Sequence, residues 1–261
     1  MMDRLRTPLF LVAVAAMLLV VLLEIGAGLF LGGQDVRGAL LAQASELDVA
    51  LPGQPPDGNV SAPPGRAISY LALVDGVVLF TVGLMAAGLV LSQRLHGRLQ
   101  GGVTIVFAIL LILAALVLLG IALVEVITMV ALFFAFPFGT IAYLIIWGFF
   151  PRGQATALLS VLMFLKFVFA GALVLAQPRF LQNKGLIALV VTSLVCNVVV
   201  TFLHGMVPGI LVSITDDIAA IVLAIVAIIW AIVLLVGSIP AVVKAVRSTA
   251  PQLPAGRVPA S

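Results

Sequence analysis

The chain is short of charge, of cysteine and of catalytic motifs, and each shortage excludes something. Only 9% of its 261 residues are Asp, Glu, Lys or Arg, against about 25% in a soluble globular domain, so water is not its main solvent. Cys196 is the only cysteine, which rules out an intrachain disulfide. No acid–base pair stands beside it to activate a thiolate, so it reads as a small packed residue. There is no Walker A loop, no dinucleotide-binding glycine fingerprint and no H-E-x-x-H helix, and no G-x-S-x-G elbow either. The expectation is no catalytic centre and no cofactor. No cluster of His, Cys, Asp and Glu has a recognised metal-ligand spacing, so no metal is expected. The thirteen basic residues are spread along the whole chain, without the basic run and interleaved aromatics that track a phosphate backbone. Nucleic acid is therefore not an expected partner.

Apolar length is what the sequence has. Hydrophobic residues make up 64% of it, and several runs exceed the ~20 residues that cross a ~30 Å hydrocarbon core. The ~10-residue alternating segments of a transmembrane barrel are missing. The expected fold class is all-α: a polytopic integral membrane bundle forming a single transmembrane domain over residues 1–261. Its first partner is the lipid bilayer, with a homo-oligomer or a membrane-complex partner left open. Arg outnumbers Lys ten to three and Ala, Val, Leu and Gly dominate. That bias suits a high-GC bacterial genome and points to a bacterial cytoplasmic membrane.

Arg4 and Arg6 precede about 23 mostly apolar residues, longer than the 7–15-residue apolar region of a signal peptide. The Ile25-Gly26-Ala27 sequence makes a poor cleavage site, so this run reads as an uncleaved first span over 8–30 with the N-terminus inside. Residues 31–68 form the one long polar segment, an extracytoplasmic loop. Its first part has loosely helical spacing suited to an interfacial helix. Its second part, PGQPPDGNVSAPPG, reads as an extended linker. Further spans are expected at 70–91, 155–176, 185–204 and 218–243, with a flexible tail at 248–261. Residues 103–150 are 48 nearly continuous apolar positions, natural for two passes. The total is about seven hydrophobic passes, either seven full spans or six full spans plus one re-entrant piece around AFPFGT (135–140).

Charge distinguishes the two. Seven full crossings from a cytoplasmic N-terminus put five Lys and Arg inside and seven outside, against the positive-inside tendency. A re-entrant piece in 103–150 swaps the later loops and makes the count nine inside and three outside. Such broken backbone must be buried in protein or line a cavity.

Four charges lie within apolar runs: Glu24, Asp75, Glu125 and Lys166. Each costs at least ~2.5–3.5 kcal/mol at a helix centre on insertion scales, so they are expected to face the bundle interior as one polar network. Glu24 and Asp75 border the same outer loop and fall at similar depth. Lys166 falls at the middle of its span, within reach of both. The network reads either as an ion or proton pathway or as a structural pair that fixes helix register. A secondary polar site is expected from His204, Asp216, Asp217, Ser193, Asn197 and Thr201. Ser193, Asn197 and Thr201 make an i, i+4, i+8 stripe suited to hydrogen bonds between helices. Asp216 and Asp217 are expected in the first turn of the last helix, behind a Ser213 or Thr215 cap. Functionally, the expectation is a small-solute or ion transporter or channel. The alternative is a non-catalytic membrane scaffold or accessory subunit.

Overall fold

The computed structural model describes residues 2–30, 66–91, 93–135, 153–176, 182–206 and 209–249. They form six helices: α1 (Met2–Phe30), α2 (Arg66–Val90), α3 (Gln93–Ala135), α4 (Gly153–Ala176), α5 (Lys184–Met206) and α6 (Gly209–Thr249). No strand occurs among the described residues. Each helix contains a segment long and apolar enough to cross a bilayer: 7–27, 66–88, 100–128, 156–176, 184–205 and 214–240. Helix is what an apolar solvent requires, because every backbone N–H and C=O must find its partner inside the segment. The β-branched Val and Ile that weaken helices in water do not compete with that demand. At the start of α5 the sequence also supplies a cap: Asn183 Oδ1 accepts the Leu186 N–H at 3.1 Å, the usual use of Asn at an N-cap.

Six passes lie among the described residues, and the expected seventh is not confirmed by them. Residues 93–135 are one helix of 43 residues, so the long apolar run begins as a single pass that continues well beyond the bilayer thickness. AFPFGT and residues 136–152, where a re-entrant piece was expected, lie almost wholly outside the described residues. The loop 31–65 and the tail from 250 lie outside them as well.

Packing does not follow chain order. The central helix is α2, which meets α1, α5 and α6 and, more lightly, α3. α4 packs on α1 and α5, while α3 packs chiefly on α6. Small residues make these approaches close. α1 buries Ala13, Met17, Val20, Glu24 and Ala27 along one stripe, and α6 buries Ala220, Ala224, Ala227 and Ala231. α3 buries Ala108, Ala115 and Ala122 at seven-residue intervals. Lipid is as apolar as leucine, so such contacts are held by van der Waals packing between close backbones rather than by escape from solvent. The outward rows are large and apolar, such as Val117, Val124 and Ile127 on α3. A stacked pair, Phe80 with Phe107 at 3.8 Å, joins α2 to α3.

Side-chain contacts fix which helix ends lie together. Arg66, at the start of α2, pairs with Glu125 in the C-terminal half of α3. His204, near the end of α5, lies 3.4 Å from Asp216, near the start of α6, and Asp216 bonds Ala67. Moving from Ser193 to Asn197 goes toward that same end, and Asn197 meets the carbonyl of Leu159, seven residues before Lys166. The start of α4 and the late part of α3 therefore share one end of the bundle. This end is called the loop end, because α1 ends and α2 begins there.

Candidate functional site

Three helices bring three ionisable groups to one point at mid-depth. Lys166 Nζ of α4 lies 2.5 Å from Asp75 Oδ2 of α2 and 3.5 Å from Glu24 Oε1 of α1. Ser193 of α5 donates its hydroxyl proton to Asp75 Oδ1. Glu24 and Asp75 are 0% exposed and Lys166 is 1% exposed, so neither water nor lipid headgroups screen them. The placement follows from position along each helix. Asp75 is nine residues into α2 and Lys166 thirteen into α4, each roughly 14–20 Å from the loop end at 1.5 Å per residue.

The charges do not balance. Two carboxylates face one ammonium, which leaves one negative charge in excess when all three are ionised. Hydrogen bonding does not balance either. Among the described residues, Lys166 is the one donor that approaches both Glu24 and Asp75 Oδ2, and neither approach has good hydrogen-bond geometry. An unsatisfied buried carboxylate is costly. One more positive charge at Glu24, a proton or a small monovalent cation, removes both deficits together. No group of three or more His, Cys, Asp or Glu side chains able to hold a metal ion is found among the described residues.

A second polar cluster occupies the loop end. Asp216 Oδ2 of α6 accepts the backbone N–H of Ala67 at 3.2 Å, so a side chain from the last helix satisfies one of the free donors at the start of α2. His204 Nε2 lies 3.4 Å from Asp216 Oδ1, and His204 Nδ1 is 3.0 Å from the carbonyl of Val200. Asp217 is buried beside them. Tyr70 donates its hydroxyl proton to the carbonyl of Leu118 at 2.8 Å, from α2 to α3.

The sequence-based expectations meet this geometry unevenly. Glu24, Asp75 and Lys166 come together as expected. Glu125 does not join them: it is held by Arg66 at the loop end, more than two turns beyond the depth of Asp75. The secondary site divides. Ser193 belongs to the central group, and Asn197 reaches across to Leu159 at 3.4 Å with its Oδ1 unsatisfied. Thr201 bonds the carbonyl of Asn197 within its own helix at 2.7 Å, so the stripe makes only two of its three expected bonds between helices.

The expected cap at Ser213 or Thr215 is corrected too. α6 begins at Gly209, which puts Asp216 and Asp217 two turns inside the helix rather than in its first turn. An apolar stretch, GILVSI, is helical despite its flanking glycine and proline, because lipid leaves its backbone no other partner. Arg66 and Tyr70 were not expected in a site. The opposite signs of Arg66 and Glu125 at the same end of neighbouring spans are the signal that pairs them.

The chain has no match among protein-family models, curated protein sequences or solved structures. What it can do therefore has to be argued from the six apolar helices and the charges they enclose, and these make it a multi-pass membrane protein.

Proposed function

We propose that this protein is a small-solute or ion transporter or channel whose working site is Glu24, Asp75 and Lys166, and that the site takes up a monovalent cation, a proton in the simplest case. The carrying observation is the excess carboxylate: a dry group of two acids and one amine with both Glu24 oxygens unsatisfied. Lys166 acts as a tethered internal cation. While Glu24 is occupied, the ammonium stays on Asp75 at 2.5 Å. When Glu24 gives up its cation, the ammonium shifts toward Glu24, now 3.5 Å away, and loosens its hold on Asp75 and thereby on Ser193. Uptake and release are thus tied to the contact between α4 and α2. Intramembrane ionisable groups in proton and ion pathways work in this way, paired with one another and facing the bundle interior.

Purified protein in liposomes tests it. Proton or monovalent-cation flux is expected above the empty-liposome rate, with Glu24→Gln and Lys166→Met each lowering it at least tenfold. A second reading, a membrane scaffold or accessory subunit in which the group is a structural strut, is favoured by one feature: the complete closure of the three side chains. It requires wild-type protein without flux and a partner retained through purification in mild detergent.

The orientation that accompanies this reading has both termini in the cytoplasm. Six crossings put Arg4, Arg6, Arg94, Arg98, Arg179, Lys184, Lys244, Arg247 and Arg257 on one side and only Arg37, Arg66 and Arg152 on the other, as the positive-inside tendency favours. Tags at the two termini are expected to share protease accessibility in sealed cells, and an external C-terminus overturns this arrangement.

A further inference from the structure

The interior differs on the two sides of the central group. Away from the loop end, every buried residue of α1, α2, α4 and α5 among the described ones is apolar, including Val20, Val78, Val82, Phe169, Leu173 and Leu189. Toward the loop end, α1, α2 and α4 stay largely apolar, with Ala27, Leu71 and Leu162 buried. There α5 departs from them and turns Asn197 inward, fully buried. We infer that, in the conformation described, water and the cation reach the central group from the loop end alone, and that Asn197 is the polar step through the apolar layer on that side. The inference rests on the reading of Glu24, Asp75 and Lys166 as a cation site and adds the side from which it is loaded.

Asn197 Nδ2 donates to the carbonyl of Leu159 at 3.4 Å. A carbonyl oxygen only accepts, so the amide nitrogen must face α4 and Oδ1 must point elsewhere. No donor among the described residues reaches Oδ1. A buried amide oxygen without a donor is costly, and a water that donates to it and bonds a further polar group removes that cost. Asn197 stands four residues from Ser193, about 6 Å along α5 and about 40° around it, and Ser193 holds Asp75. On α4, Leu159 lies about 10 Å from Lys166 toward the loop end. The amide therefore sits on the loop side of the site, between the helix that carries the ammonium and the helix that carries the hydroxyl. An amide binds water without changing its own charge, so it passes a proton or a small cation without trapping it.

The mirror position is Leu189, four residues from Ser193 in the other direction and 2% exposed. A buried water needs two to four polar partners, and the buried side chains around Leu189 offer none. The helix carbonyls there are engaged in their own ladders. Net flux then requires this apolar half to open in a second conformation, while the described one is loaded from the loop side.

Cys196 is the only cysteine, so Cys196→Ala gives a thiol-free background in which Asn197→Cys and Leu189→Cys each place one thiol. Ag⁺ is the probe: it travels in water and blocks a thiol, and the thiols left free are counted with a maleimide after unfolding. In liposomes the thiol of Asn197→Cys is expected to be blocked at least tenfold faster than that of Leu189→Cys. Equal rates, fast or slow, overturn one-sided access. The part played by Asn197 is read from Asn197→Thr and Asn197→Val, which are alike in shape and differ by one hydroxyl. Cation flux is expected to be largely retained in the first and to fall at least tenfold in the second, and equal flux in the two overturns the polar step. A wild-type protein without any flux sinks the reading of the central group, while the two blocking rates still decide from which side water enters.

Discussion

The helices α1, α2, α4 and α5 enclose charge, whereas the α3–α6 contact is a seam of alanines. The first group is held at one point by Lys166 between Asp75 and Glu24. The second is spread along Ala115 and Ala122 of α3 and Ala220, Ala224, Ala227 and Ala231 of α6, all 0% exposed. A point contact between charges is sensitive to the loss of any one partner and tolerant of changes in shape. A distributed seam is the reverse. The same bilayer thus supports two kinds of cohesion, and only the first can change state with a bound cation.

Substitutions separate the two. Lys166→Met is expected to be the most damaging, because it leaves two buried carboxylates without a counter-charge; losses of about 3–5 kcal/mol accompany the breaking of buried pairs. Unfolding in mixed micelles measures it, and replacing Glu24 with Gln and Asp75 with Asn in the same chain should recover most of the loss. Ala115→Leu tests the seam: overpacking a close contact costs about 1–3 kcal/mol, and its effect should leave Lys166→Met additive, since the two sites share no partner. Asp216→Ala removes the acceptor at the start of α2, and losing a cap costs about 0.5–2 kcal/mol; hydrogen exchange of the Ala67 amide should accelerate. Arg66→Gln breaks a partly exposed pair with Glu125, for which about 0–1 kcal/mol is expected. Val117→Ala, on the lipid face of α3, should be within about 0.5 kcal/mol of wild type. A large effect there would mean that α3 has a protein neighbour on that side.

Much of this was legible in the sequence, for a physical reason. A charge in an apolar run has so few acceptable surroundings that matching depth is nearly enough to pair it, which is how Lys166 meets Glu24 and Asp75. Depth is left open for Glu125, because the 103–150 run gives no fixed end to its helix. The start of α6 was misplaced because Pro208, Gly209 and two aspartates look like a helix entrance in water. In lipid the helix starts earlier, and Asp216 becomes a partner for another helix instead of for its own. That the last helix caps the second is a long-range fact, and nothing local in HGMVPGILVSITDD announces it.

The order of the three central residues along the chain carries a consequence for biogenesis. Glu24 precedes Lys166 by 142 positions and Asp75 precedes it by 91. At about 5–20 residues per second of synthesis, Glu24 waits on the order of 10–30 s for its counter-ion. During that interval α1 and α2 enter the membrane as a pair carrying two acids and no base. α4 therefore arrives not as one more span but as the neutralising piece, and the chain commits to its final helix arrangement only when it docks.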